Sequence, residues 1–417
     1  MRTTAGRIAA AVLILNTLAT KAGAKDLFDL NLSVTTPTVA QAQAAYDSIT
    51  NLANSLTNSS LSALSPSYTS TSAATSVLNI RGLTASAIYG AGSPALVFLV
   101  PSQGINLTFN GATRDQSQQL FKNFLLKDGG SILSRLLQGL VAHTPIDPIA
   151  GNPNSLQNSM AAADFSIATG IGLGGTEIPG GGRTGGLLGQ PNLVTAGGDI
   201  GIASAGGYTT SIVSLPLRYT IPFADPRYAL TLDSSITWLK TGTASSYLGG
   251  IGASLRIPVT DDWFLSPSLR FGAAGSVDLG AAALEYAGGL ASRYDLYFGD
   301  LNVTIGNAVS IMKTGGVSIG SVNVNYDLTN EVFTNGGQVE GSLPGTMFGK
   351  PTSWQAYLAD TYVAGSKVYI NHYDEIGFTV GTRHGLNTQD WDAFRVGAGV
   401  TFGANYNAFK AGFTYRF

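Results

Sequence analysis

The sequence predicts a mainly β protein, in which a small soluble α+β domain precedes a C-terminal transmembrane antiparallel β-barrel of about twelve strands. Three observations predict this fold class. From residue 198 onward, apolar and polar residues alternate with a period of two, as in strands that separate an apolar from a polar environment. Charged residues make up only 12% of the chain, against about 25% in soluble domains. All four tryptophans lie in the alternating half.

The first 24 residues have the composition of a secretory signal peptide. Arg2 and Arg7 precede or flank an apolar run at residues 8–18, and Ala22-Gly23-Ala24 is a small-residue cleavage site. The apolar run is shorter than the roughly 20 residues of a membrane-spanning helix. We therefore expect export, with the mature chain beginning at Lys25. No later segment approaches a transmembrane helix, so insertion into a membrane is expected to use strands.

Residues 25–165 are predicted to form the α+β domain, which is large enough for a core of its own. Strands are expected at residues 77–89, 95–100 and 105–109, because glycine-containing turns separate these apolar segments. An earlier helix is expected from apolar residues at three- and four-residue spacing, namely Ala42, Ala45, Tyr46, Ile49, Leu52, Ala53 and Leu56.

Two helices are predicted after these strands. Thr113 and Gln116 have the spacing of a capping box in front of an apolar helical face that ends at Leu125. Ser131 precedes a second apolar face that ends at Val141. Prolines then break the pattern, and a short segment at residues 155–163 is expected to add a further turn or two of helix.

Residues 166–197 are predicted to be a glycine-rich linker. They include a formal G-x-G-x-x-G at residues 170–175. A dinucleotide site would require a helix after this motif and an acidic residue about twenty positions later, and no helical pattern follows it. The chain has three histidines and no cysteine, and none has the spacing of a zinc site. We therefore predict no cofactor and no metal.

The barrel is predicted to occupy residues 198–417. The alternation places its strands at residues 198–206, 208–222, 227–240, 244–257, 261–275, 278–292, 295–306, 307–327, 354–364, 367–384, 391–402 and 405–417. With this count, the long connection at residues 328–353 falls on the side of the barrel that normally has short turns. Either that loop is unusual or the count is off by one or two.

Charged residues on the polar face of these strands are candidates for the inside of the barrel. They are Arg218, Asp233, Arg256, Arg270, Glu285, Arg293, Lys410 and Arg416, and Asp360 is expected to add a further acidic group. A charged lumen can select solutes or hold a plug. Alternatively, these charges are simply satisfied by water and by one another.

Aromatic residues are expected at the two membrane surfaces. Trp263, Trp354 and Trp391 stand at predicted strand starts, and Trp238 stands near a strand end. Interfacial girdles of transmembrane barrels have amphipathic rings at these positions, whereas a soluble sandwich would bury them in mid-strand.

The last strand carries the strongest resemblance. Phe413, Tyr415 and the final residue Phe417 are aromatic at alternate positions. This ending resembles the C-terminal signature of Gram-negative outer-membrane β-barrels, whose last strand closes the barrel and is read by the insertion machinery. The resemblance implies an outer-membrane location, contact with outer-membrane lipid, and the insertion machinery as a partner. Net charge is −2, so nothing suggests nucleic acid as a partner.

Twelve strands, a terminal phenylalanine and an exported N-terminal domain are similar to the translocator barrel of autotransporters. That similarity implies a helix inside the barrel and a passenger domain outside the cell. The upstream domain is short, without solenoid repeats, and residues 170–198 are richer in glycine than the usual junction between helix and barrel. Because the domain is compact and lacks repeats that help a passenger cross a narrow pore, we expect it in the periplasm.

Three functions follow from this sequence. The first is a non-enzymatic, porin-like outer-membrane barrel that acts as a pore or transport conduit. The alternative is an autotransporter-like or adhesin-like barrel that presents the N-terminal domain at the cell surface. A further alternative is a barrel enzyme acting on lipid, which would use His372 and His384 with Asp374 and Glu375 nearby. The solute or the protein partner of the N-terminal domain is not indicated.

Overall fold

The computed structural model describes residues 25–35, 39–125, 130–175, 192–319, 322–382 and 393–417. The expected signal peptide, residues 176–191 of the glycine-rich segment, His384 and Trp391 lie outside these ranges. The described chain is mainly β and consists of a closed barrel preceded by a smaller α+β region, so the predicted fold class is confirmed.

The N-terminal region contains a six-stranded antiparallel sheet in the order β2-β1-β3-β4-β5-β6. Its strands are β1 (Phe28–Thr35), β2 (Val39–Tyr46), β3 (Ala73–Ile80), β4 (Leu83–Tyr89), β5 (Leu96–Val100) and β6 (Ile105–Phe109). The expected strand at residues 77–89 is therefore a hairpin of two strands. Arg81 and Gly82 make its turn with φ of 54° and 102°, a left-handed conformation that closes tight hairpins.

Five helices accompany the sheet and the barrel in the described residues. They are α1 (Ile49–Asn54), α2 (Asn58–Leu64), α3 (Arg114–Asn123), α4 (Gly130–His143) and α5 (Leu156–Thr169). The hydroxyl of Thr113 accepts the N–H of Gln116 at 3.2 Å, which confirms the predicted cap of α3. The expected helix through residues 42–56 is wrong in its first half. Residues 39–46 are an edge strand there, because pairing with β1 overrides the helical spacing of the alanines.

A buried arginine holds the outer end of this domain together. Arg114 is 2% exposed, and its Nη2 donates to the carbonyl oxygens of Ser72 at 2.6 Å and Gly90 at 2.8 Å. Its Nη1 donates to the Tyr68 hydroxyl at 3.1 Å, and its guanidinium lies 4.8 Å from the ring centre of Tyr89. Burial raises the pKa of both tyrosines above the ordinary value, so each favours its neutral form in the folded domain.

The barrel has twelve antiparallel strands, as predicted. They are β7 (Leu193–Ala205), β8 (Tyr208–Pro222), β9 (Ala229–Thr241), β10 (Ala244–Pro258), β11 (Trp263–Ser276), β12 (Ala281–Phe298), β13 (Leu301–Gly315), β16 (Thr329–Met347), β17 (Lys350–Gly365), β18 (His372–Thr382), β19 (Ala393–Gly403) and β20 (Tyr406–Arg416). The last strand pairs with the first, and Phe417 and Val194 exchange backbone hydrogen bonds at 2.9 and 2.8 Å. Closure leaves the sheet without an edge.

The count of twelve is right, although two segments were predicted wrongly. One segment holds one barrel strand fewer than expected, and the next holds one strand more. Residues 278–327 were expected to hold three strands, but they hold the two long strands β12 and β13 and a small hairpin of β14 (Val317–Ile319) with β15 (Val322–Val324). The expected connection at residues 328–353 is instead β16 and the start of β17. Asn335-Gly336-Gly337 has the composition of a turn but lies in mid-strand, where it pairs with residues 305–307 of β13 and 358–360 of β17. Residues 328–353 are therefore not a long connection at the end of the barrel that normally has short turns.

The two ends of the barrel differ. One end, the terminal rim, carries the start of β7, the end of β20 and the two-residue turns Gly299-Asp300 and Phe348-Gly349. The other end, the domain rim, carries the turns 206–207, 242–243 and 277–280 and the N-terminal domain.

Backbone hydrogen bonds join the domain to this rim. Lys25 N donates to Gly207 O at 3.2 Å, and Ile49 N donates to Asp278 O at 3.1 Å. The domain and the barrel are therefore docked by main-chain as well as side-chain contacts.

The outer face of the barrel is apolar. Leu269, Ile236 and Tyr247 are 73%, 66% and 63% exposed there, although such side chains are normally buried. A wall of this kind suits a surrounding of lipid. None of the helices in the described ranges is long and apolar enough to cross a membrane.

Candidate functional site: the barrel lumen

A helix fills the middle of the barrel. The 14 residues of α5, about 21 Å long, lie inside the barrel against β10, β11, β12, β13 and β16. The buried side of the helix, which includes Leu156, Met160 and Phe165, faces these strands. Ser159, Ala163 and Ser166 are only half-buried on the other side, and Ala162 is exposed there. The sequence predicted only a turn or two of helix at residues 155–163, as part of the N-terminal domain, and a boundary at residue 165 would divide this unbroken helix.

The helix runs from the domain rim towards the terminal rim. Just before it, the amide of Asn154 donates to the hydroxyl of Tyr406 at 2.7 Å, and Tyr406 begins β20 at the domain rim. Near its other end, Arg218 Nη2 donates to the hydroxyl of Ser166 in the last turn at 3.0 Å, and Nη1 donates to the carbonyl of Gly174 beyond the helix at 3.0 Å. Arg218 lies near the end of β8 that reaches the terminal rim.

Glycines on the inner face make room for this helix. A Cβ at Gly272 would lie 2.7 Å from the sulfur of Met160, and one at Gly336 would lie 2.8 Å from the ring of Phe165. A Cβ at Gly306 would likewise lie 2.7 Å from the methyl group of Thr169. Real Cβ atoms do not approach so closely, so a side chain at any of these positions would force the facing side chain of α5 to shift.

Two carboxylates and one guanidinium hold the helix at its centre. Arg270 Nε lies 2.5 Å from Asp164 Oδ1 on α5, and Nη1 and Nη2 lie 2.6 and 3.0 Å from the two oxygens of Asp233. Ser310 donates to the other oxygen of Asp164 at 3.0 Å. We call Asp164, Arg270 and Asp233 the lumen triad. Its side chains are only 3%, 3% and 6% exposed, so water screens these charges little.

A buried triad of this kind positions a helix more than it stabilises the fold. Desolvation of the three charges offsets much of their attraction, but removal of one partner leaves a buried charge uncompensated, at a cost of about 3–5 kcal/mol. The bidentate contact of the Arg270 guanidinium with Asp233 also fixes the orientation of the guanidinium that meets Asp164. Asp164 was not among the predicted site residues. Its signal in the sequence is that it is the sole charged residue of α5.

The remaining lumen candidates also lie on the inner face. Arg218 lies opposite Asp233 in the β8–β9 pairing, whereas the others are not in contact with the triad. Arg256 donates to the carbonyls of Pro226 and Arg227 at the terminal rim, and Arg293 pairs with Asp295 at 2.9 Å. Buried inward positions are also taken by Glu285 and Arg416, while Lys410 is half-buried. Asp360 is the exception. It shares the outer face of the wall with Leu358 and Tyr362, because odd and even positions alternate sides.

A second buried ion pair connects the domain, the lumen helix and the barrel. Arg81 in the β3–β4 turn lies 3.1 Å from Asp147, and both side chains are fully buried. Asp147 belongs to the segment between α4 and α5, and it also accepts the Tyr326 hydroxyl of the β13–β16 connection at 3.2 Å. Burial raises the pKa of Asp147, against the lowering effect of Arg81. The sequence contains no local signal for this cluster, since its members are far apart along the chain.

The predicted surface residues lie on the outer face. Phe413, Tyr415 and Phe417 are 48%, 42% and 53% exposed beside the closing seam. Of the predicted girdle, Trp263 opens β11 at the terminal rim and Trp238 lies near the domain-rim end of β9. Trp354 stacks on Phe378 and is the fifth residue of β17 rather than a strand start. Trp391 lies outside the described ranges.

The residues of the proposed lipid enzyme do not form a nucleophilic site in the described chain. His372 is on the outer face, and its ring nitrogen lies 2.5 Å from Asp360. Asp374 is close enough for these three groups to hold a cation, but all are at least partly exposed. Glu375 faces the other way and accepts the Tyr357 hydroxyl at 2.7 Å. His384 lies outside the described residues.

Comparison with known proteins gives likenesses of fold. No family model and no curated protein matches this sequence. Among solved structures, it is similar to the β domain of the Bordetella autotransporter BrkA, with 14% identity over 54% of this chain and 98% of that one (TM-score 0.42). The translocator domain of the autotransporter NalP from Neisseria meningitidis gives 12% identity over 54% and 88% of the two chains (TM-score 0.39).

The KdgM porin gives 13% identity over 53% and 98% of the two chains, with a TM-score of 0.32. These structures are outer-membrane β-barrels, in agreement with the resemblance carried by the last strand. Because they include both autotransporters and a porin, they do not choose between functions.

Proposed function

We propose that this protein is an outer-membrane barrel that holds its own N-terminal domain at the cell surface, with α5 as the connection through the lumen. The path of the chain carries this proposal. The chain leaves the domain at one rim, descends through the barrel as α5, and continues to β7 at the opposite rim. A barrel that encloses a helix, with a domain attached to one end of that helix, can hold the domain at the membrane surface.

The orientation rests on the ends of the barrel. In the outer-membrane barrels that the last strand resembles, the insertion machinery recognises this strand from the periplasm. The rim that carries Phe417 therefore faces the periplasm. The domain rim then faces the outside. This orientation differs from the periplasmic location expected from the sequence, because that expectation rested on the compactness of the domain and not on the path of α5.

The contents of the lumen favour display over conduction. An open pore requires a continuous water-filled path, and α5 narrows any such path because it packs against inward glycines and is held by the lumen triad. In addition, the domain covers the rim at which a solute would enter or leave. The proposal therefore assigns the inward charges to holding the helix rather than to selecting a solute.

Protease treatment of intact cells tests the proposal. One variant carries a cleavable epitope before Lys25, and a matched variant carries it in the turn at Phe348, which is 78% exposed at the terminal rim. We expect the first epitope to be cut in intact cells and the second to be cut only after the outer membrane is permeabilised. The reverse pattern would place the domain in the periplasm and reject surface display.

A further inference from the structure

A large apolar cavity lies in the N-terminal domain, next to the barrel wall. Its volume is about 850 Å³. Helices α1, α3 and α4 form one side of it and strands β3 and β5 form another, with Leu52, Phe121, Leu136, Ile80 and Phe98 among its lining residues. The space is an open cleft between the domain and the outer wall of the barrel, and a mainly apolar cleft of several hundred Å³ is typical of a ligand site.

The lining selects the chemistry of the ligand. Almost every side chain that the domain contributes is aliphatic or aromatic, and its polar exceptions are Thr50 and Lys122. An apolar cavity excludes ordered water because the water would lack hydrogen-bond partners. The barrel side adds the polar residues Ser245, Ser276 and Asp278, so the lining suits a long apolar group that has a polar end. Lys122 supplies a cation for that end, and its Nζ now lies 3.0 Å from the Asn54 side chain.

The barrel supplies the rest of the lining, and its residues there indicate the side from which a ligand enters. Tyr247 and Val277 line the cavity and are 63% and 91% exposed. Tyr247 projects from the outer, apolar face of β10, and Val277 belongs to the turn at the domain rim. The cavity thus borders the outside of the barrel wall at the level where a bilayer surface would meet the domain.

We propose that this cavity binds an acyl chain of a membrane lipid from the leaflet next to the domain rim. The chain enters along the outer wall past Tyr247 and Val277, and the acidic headgroup stays at Lys122. The occupant is a lipid of the surrounding membrane rather than a free fatty acid, because the opening is continuous with the apolar belt. The inference does not depend on which side of the membrane carries the domain.

Photo-crosslinking tests this site. The full-length protein is reconstituted in vesicles of phosphatidylcholine and phosphatidylglycerol that contain a phospholipid with a diazirine near the end of one acyl chain. After irradiation, we expect labelled peptides that include Phe121, Leu133 or Leu136, besides peptides of the outer belt. Labelling confined to the belt would overturn the proposal, and this result can be read on the unmodified protein.

Two variants sharpen the experiment. Ala53 lines the cavity and is 7% exposed, so Ala53→Trp fills the space, whereas Ala112→Trp places the same ring on the exposed surface of the domain. We expect Ala53→Trp to reduce labelling of the cavity peptides at least fivefold, with belt labelling unchanged, and Ala112→Trp to match the parent. Equal cavity labelling in both variants, each shown by protease resistance to be folded, would refute the proposal.

A third arm separates the two sources of an acyl chain. The same protein is offered a diazirine-bearing free fatty acid in vesicles without photoactivatable phospholipid. Labelling of the cavity by the phospholipid supports a membrane lipid as the occupant. Labelling by the fatty acid alone would overturn that assignment.

Discussion

The lumen and the N-terminal domain both bury helices against a β-sheet, but they do so with opposite chemistry. In the lumen, α5 is held by a charged triad and by glycines that fit it closely. In the domain, α3 and α4 rest on an aliphatic and aromatic face and leave a large space beneath them. Inside the barrel, α5 packs against one part of the wall, from β10 to β16, and position-specific contacts fix it there. A helix layer on an open sheet can separate and accommodate a ligand.

The largest loss in the free energy of unfolding is expected when the lumen triad is broken. Arg270→Ala leaves Asp164 and Asp233 buried without a cation, which we expect to cost about 3–5 kcal/mol. Urea unfolding in detergent micelles measures this cost. The control is Arg227→Ala, which removes exposed contacts with Asp225 and Asp261 at the terminal rim and should leave the urea midpoint almost unchanged. Equal effects of the two variants would show that the triad does not anchor α5.

The second largest effect should appear at the junction of the two regions. Asp147→Asn keeps the shape of the side chain but removes the charge that faces Arg81, and we expect a loss of about 1.5–3 kcal/mol. Limited proteolysis should detach the domain from the barrel sooner in this variant. Asp47→Asn is the matched control, because Asp47 is exposed and bonds only to its own helix region through Asn51. If both variants resist protease like the parent, the buried pair does not control docking.

A smaller loss is expected from crowding the helix. Gly272→Leu places a side chain where Met160 and Leu156 now lie, and overpacking of this kind costs about 1–3 kcal/mol. Displacement of α5 should also raise the single-channel conductance in planar bilayers. Gly288→Leu is the control, since Gly288 is on the outer face and a Cβ there meets only Leu269 at 3.8 Å. If the Gly272→Leu barrel shows no rise in conductance, α5 is not the element that blocks the lumen.

The smallest effect concerns alkaline pH and two buried tyrosines of the N-terminal domain. The pKa values of Tyr68 and Tyr89 are raised by burial, so their contribution to stability is complete below the unfolded value of about 10 and is lost as pH rises through the folded values. We expect the domain to lose its near-ultraviolet circular dichroism above about pH 10, together with the rise of tyrosinate absorbance. In Tyr89→Phe this loss should begin at higher pH. An unchanged onset in that variant would assign the transition to other groups.

The resemblance to autotransporter barrels implied a lumen helix, but the residues themselves did not identify α5 as that helix. Leu156–Thr169 has no amphipathic pattern that assigns it to one surface, and it follows the soluble domain without a break. Its lone charge, Asp164, meets Arg270 only after β10 to β13 have wrapped around it. The structure therefore moves this segment from the domain to the barrel.

The sequence by itself determined the barrel and its sidedness. Alternation with a period of two predicts which face of each strand is apolar, because this pattern is local to one strand. In β20, Arg416 is buried, and Phe413 and Tyr415 are exposed. Only the tertiary structure decided what fills the lumen, which glycines face a helix, and how Arg81, Asp147 and Tyr326 join three segments. Those contacts link residues that are remote in the chain, and their free energy arises from desolvation and close packing that exist only after closure.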